Sequence, residues 1–171
     1  MKLFIFLSLA ITLFTTKALG YKQTALDTFL LMNICERCDL SHANFERANL
    51  SGADLLGANL REANLREAKL VEVNFSRADL LGANLRSADL SITNLSGARL
   101  SLANLRGADL SMANLSGTDF SGADLRSANL LGAILKNANF IGANLKNTRF
   151  DREKFCRTKT SVGIMNLNYR D

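Results

Sequence analysis

SGADLLGANLREANL, residues 51–65, places a leucine at every fifth position: Leu55, Leu60 and Leu65. A helix buries apolar residues at spacings of three and four, and a half-buried strand alternates. A period of five fits neither. From Leu40 to Phe155, every fifth residue is Leu or Phe, with no insertion. Two residues before each stands something small, nearly always Ala (Ala43, Ala48, Ala53, Ala103, Ala143). The exceptions are Cys38, Val73, Thr93, Thr118, Thr148 and, at the fading end of the repeat, Glu153. The residue just before is usually Asn or Asp, and the two after are mostly Ser, Gly, Arg, Glu or Leu.

A unit this short cannot bury its own apolar face, so it must repeat and stack. If the chain turns the same way after each unit, every Leu or Phe points to one axis. The small residue two before it also points inward and leaves room between the large ones. The other three positions face out. Backbone groups then pair with the coils above and below, about 4.8 Å away.

These A(D/N)LXX units resemble the pentapeptide-repeat family over residues 36–155. The resemblance implies an all-β solenoid: a right-handed quadrilateral β-helix with four pentapeptides per coil. Periodicity alone would not choose four over three. The 24 units from Leu40 to Phe155 would then make six coils.

The ends read differently. Lys2, the apolar run Leu3–Phe14, and Ala18 and Gly20 ahead of Tyr21 form the pattern of a cleavable signal peptide over residues 1–20. The run is too short for an ordinary membrane span; the alternative is an uncleaved anchor. Removing residues 1–20 takes away Lys2 and Lys17 and no acid, so the net charge falls from +5 to +3. Residues 21–35 are expected to cap the first coil. Within them Thr24 and Asp27 suggest a short helix over 24–32. Residues 156–171 should cap the last coil, with Ile164, Met165 and Leu167 covering it.

Cys35 and Cys38 stand in the sequence CERC. A disulfide fits an exported protein. A redox CxxC would need a helix N-terminus to lower the thiol pKa. A zinc site could use Cys35, Cys38 and His42 but has no fourth ligand nearby. Cys156 lies too far along the rod to reach either, so it is a candidate free or intermolecular thiol. Exported family members resemble this chain in the CxxCDLS start. Their tail often carries a further Cys, which this chain lacks.

With four faces, residues 20 apart stack. Glu46 then heads a ladder of Arg66, Arg86, Arg106, Arg126 and Lys146, with Glu67, Asp89 and Asp109 near enough to neutralise part of it. One adjacent column carries Val71, Ile92, Met112 and Leu131; the other carries Leu81, Leu102 and Ile141. Such a ladder suits an acidic protein or another anionic surface. The same charges would also keep a flat β-surface soluble and unpaired.

No catalytic set, phosphate-binding loop or cofactor motif is present in the sequence, and His42 is the one histidine. The expectation is a non-enzymatic bacterial scaffold or protein-binding module, exported to the periplasm or medium. It would need no cofactor, would not bind nucleic acid, and would be a monomer or an end-to-end homodimer. Some family members protect DNA gyrase, with an acidic rod proposed to imitate DNA. This chain departs from them in its export signal and its positive charge. An effector delivered into another cell is a further reading with no mark in the sequence.

Overall fold

A computed structural model describes residues 32–151, together with the backbone of residues 159–160 and 163–164. Within them the chain winds as a four-sided parallel β-helix. Each bridge joins residues 20 apart, from Ile34 with Asp54 to Asp124 with Asn144. The number four, which the period of five leaves open, is therefore fixed by the register.

Every repeat has the same anatomy. Its Leu or Phe and its small residue face inward, its Asn or Asp sits at the middle of a flat side, and the next two residues turn the corner. The N–H groups explain this order. Leu50 donates to Lys69 O at 2.9 Å, Gly52 to Val71 O at 2.9 Å, and Asp54 to Asn33 O at 3.0 Å. Ala53 closes the turn on Leu50 O at 3.0 Å. The remaining N–H, of Ser51, donates to Asn49 Oδ1 at 3.3 Å. In this repeat four donors thus go to the backbone and the fifth to the Asn side chain, so none is left without an acceptor. This is why an Asn or Asp precedes nearly every Leu. The same side chains also bond between coils: Asn64 Nδ2 donates to Asn44 Oδ1 at 3.0 Å, and Asn84 Nδ2 to Asn64 Oδ1 at 3.2 Å.

The core is a column of Leu, Phe and Ala, buried from Cys35 to Phe140. Phe120 and Phe140 stack in consecutive coils, with ring centroids 4.9 Å apart. Thr93 and Thr118 occupy small inward slots. Their hydroxyls donate to Leu90 O and Leu95 O at 2.6 and 2.8 Å, which removes the cost of burying them.

The second corner residue has positive φ in every repeat from Arg37 to Asn147, as a turn with a left-handed third residue requires. Gly or Asn takes this conformation easily; Ile92, at φ 60°, does not. Ile92 is also 55% exposed, so little burial offsets its strain. Ile92→Gly should raise stability by about 1 kcal/mol. The check is a rise in the denaturant midpoint at unchanged slope.

At the C-terminal end the bridges lengthen into strands. β1 (Asn129–Leu130) pairs in parallel with β3 (Arg149–Phe150), and β2 (Asn139–Phe140) with β4 (Lys159–Thr160). The chain then reverses, and β5 (Gly163–Ile164) pairs antiparallel with β4. Ile164, expected in a cap, thus lies in a strand on the edge of the last coil. Met165, Leu167, Phe155, Cys156, the signal segment 1–20 and the helix expected over 24–32 lie outside the described residues, apart from Met32, whose backbone is helical.

Candidate functional site

Corner residues 20 apart fall directly above one another, and the backbone ties them together. Glu67 N donates to Arg86 O at 2.9 Å, Ser87 N to Arg106 O at 3.0 Å, Gly107 N to Arg126 O at 2.9 Å, and Ser127 N to Lys146 O at 3.0 Å. Arg66, Arg86, Arg106, Arg126 and Lys146 thereby form one line along a rigid edge, spaced about 4.8 Å apart.

Two of the five are neutralised within the chain. Arg66 pairs with Glu46 at 3.0 Å and with Glu67, and Glu67 also meets Arg47 at 2.7 Å. The hydrogen bond from Arg47 holds the Glu67 carboxyl below the usual carboxylate range. Arg126 grips Asp124 with its Nε and Nη2, the latter at 2.6 Å, and those bonds lower the Asp124 pKa, with a smaller contribution from the charge of Arg106.

Asp89 and Asp109, expected to neutralise part of the ladder, form no ion pair with it. Asp89 Oδ1 accepts from the N and Oγ of Ser91 at 3.1 and 2.7 Å. Asp109 Oδ1 accepts from Ser111 N at 2.9 Å and Asn129 Nδ2 at 3.1 Å. The corner N–H holds each carboxylate at the middle of its own side. Asp124 was not anticipated as a partner, although its position two residues before Arg126 carries the signal. Among the described residues, Arg86, Arg106 and Lys146 are exposed and make no ion pair.

The two corners flanking this edge are apolar in part. One carries Leu81, Leu102 and Ile141; the other carries Val71, Ile92, Met112 and Leu131. Leu102 and Met112 are 68% and 65% exposed.

Cys35 and Cys38 are joined by a disulfide across a Cα–Cα distance of 5.5 Å. Cys35 fills a large inward slot and Cys38 a small one, on either side of the corner at Glu36 and Arg37. His42, weighed as a zinc ligand, has Nδ1 3.3 Å from Glu62 Oε2. Among the described residues, no three His, Cys, Asp or Glu side chains cluster as metal ligands.

The profile of the family described as pentapeptide repeats matches in 8 copies, over residues 35–66, 58–97, 83–122 and 118–152. Among solved structures, the chain is similar to the pentapeptide-repeat protein Rfr23 of the cyanobacterium Cyanothece 51142. The two share 30% identity over 80% of this chain and 97% of that one, with a TM-score of 0.50. It also resembles HetL of Nostoc, a pentapeptide-repeat protein involved in heterocyst differentiation regulation. There the identity is 32% over 76% of this chain and 71% of that one, with a TM-score of 0.32. QnrB1, a plasmid-mediated fluoroquinolone resistance protein, is 25% identical over 72% of this chain and 62% of its own, with a TM-score of 0.49. Among curated proteins, none is a significant match.

Proposed function

Because the chain belongs to the pentapeptide-repeat family of right-handed quadrilateral β-helices, we propose that it is an exported, non-enzymatic rod whose basic edge docks an acidic protein partner. The observation that carries this reading is the line of Arg86, Arg106 and Lys146, exposed on a rigid corner with no counter-ion of their own among the described residues. Backbone bonds fix the spacing of the array, so only its side chains must be ordered on binding. Fixed charges of one sign also steer an acidic partner toward the edge.

Export is supported by the N-terminal pattern of Lys2, the apolar run and Gly20. The Cys35–Cys38 bond suits an oxidising compartment. The basic edge has the opposite sign to that of a DNA mimic.

Two measurements test the two halves of the reading. The intact mass of the native protein from separate cell fractions tests export. A chain beginning at Tyr21, lighter by two hydrogens and found in periplasm or medium, is expected. A full-length, fully reduced chain in the cytoplasm would overturn it. Retention on immobilised poly-glutamate at low salt tests the edge. The mature protein should be held, and a variant with Arg86, Arg106 and Lys146 all changed to Ser should pass through. Equal behaviour of the two proteins defeats the docking reading.

A further inference from the structure

We propose that the partner presents an acidic amphipathic α-helix, and that this helix lies along the rod axis on the side lined by asparagines. The proposal rests on the basic edge being a docking surface, and it adds which side of that edge is used and what shape fits.

The edge borders two flat sides. One runs through Lys69, Asp89, Asp109, Asn129 and Arg149, and the carboxylates of Asp89 and Asp109, beside Arg86 and Arg106, would repel an acidic partner. The other is centred on Asn84, Asn104 and Asn144. Its one carboxylate, Asp124, is already held by Arg126. The asparagine side is therefore bounded by cations on one edge and by Leu102 and Ile141 on the other. Glycines at 82, 122 and 142 keep that apolar corner low. Leu102 leans along it so closely that a Cβ on Gly122 would lie 2.8 Å from Leu102 Cδ2. A partner on this side meets charge along one border, apolar surface along the other, and neutral amides between. That is the pattern of adjacent stripes on an amphipathic helix.

The spacing favours a helix over a strand. From Arg86 to Lys146 the edge advances three coils, about 14 Å. Acidic residues one turn apart on a helix advance about 5.4 Å each, about 16 Å over three turns. Arg side chains can absorb that mismatch. On an extended strand, same-side residues repeat at about 6.7 Å, about 20 Å over three repeats, and fall out of step. A bilayer is a poorer fit, because Leu102 and Ile141 offer little apolar area to insert.

The test compares two fluorescent helical peptides of equal composition and matched helicity, binding to the mature protein at low salt. One has Glu and Leu on adjacent stripes; in the other the Glu positions are spread around the helix. The striped peptide should bind about tenfold more tightly. Changing Arg86, Arg106 and Lys146 to Ser should abolish that preference. Leu102→Ser should weaken binding about fivefold, and Met112→Ser, on the far corner, should leave it unchanged. Equal affinity for the two peptides, with poly-glutamate retention intact, would overturn the helix while sparing the basic edge. Failure on both peptide and polymer would overturn both. Tighter binding to anionic vesicles or heparin than to the striped peptide would also defeat the proposal.

Discussion

Phe120→Ala is expected to lower stability by about 3–5 kcal/mol, the largest single loss foreseen for this rod. Phe120 has no solvent exposure, and its ring lies 4.9 Å from that of Phe140 at an interplanar angle of 8°. Truncation removes the transfer free energy of the ring, the stacking and the fill of the axis together. The coil backbone cannot collapse into the gap, because the coils on either side hold it through bonds of fixed register. Phe120→Leu restores the residue most repeats carry and should cost much less. Denaturant unfolding read by circular dichroism separates the two. In a solenoid, each coil touches only its neighbours. The Ala variant should therefore release the C-terminal coils first, as a separate early transition. A midpoint equal to that of the wild type would mean that the axis is not closed around Phe120.

Ala113→Leu tests the opposite fault and should cost about 1–3 kcal/mol. Ala113 occupies a fully buried small slot, and its N–H closes a turn on Leu110 O at 3.2 Å. Its column neighbours 20 residues away are Thr93 and Ala133, both buried. A leucine there must leave its favoured rotamer or push the side outward, which would stretch the bonds to the next coil. Ala113→Val should be milder, since Val73 is accommodated two coils earlier in the same column. Thermal melts of the three proteins should rank Ala above Val above Leu. A Leu variant as stable as the wild type would show that the small slot holds spare volume.

The two kinds of inward slot were legible from the period alone, and so was the outward role of Asn and Asp. Each repeat carries its own copy of the instruction, and a burial preference repeated without interruption averages out local noise. The ladder of five cations also followed from sequence once residues 20 apart were assumed to stack. Its electrostatics did not. Arg86 and Arg126 occupy equivalent positions, yet Arg126 is held by Asp124 and Arg86 makes no ion pair among the described residues. The difference arises because Asp124 stands two residues before Arg126, where Asn84 stands before Arg86. Asp89 and Asp109, near the ladder by spacing, are bonded at their own turns instead, which spacing does not report.

The sequence by itself determined the solenoid, because a five-residue burial period can be satisfied only by a chain that turns after every unit and stacks. It also determined which residues line the axis, since only Leu, Phe and small residues recur in phase. The tertiary structure alone decided that residues 20 apart are bridged, because the number of sides depends on how the coils close, which no single repeat encodes. It also revealed the left-handed corners, where Ile92 sits under strain. Finally, it decided which nearby carboxylates pair with the ladder and which do not. Asp89 and Asp109 lie beside the ladder, yet the N–H groups of their own corners hold them, and residue spacing does not report that competition.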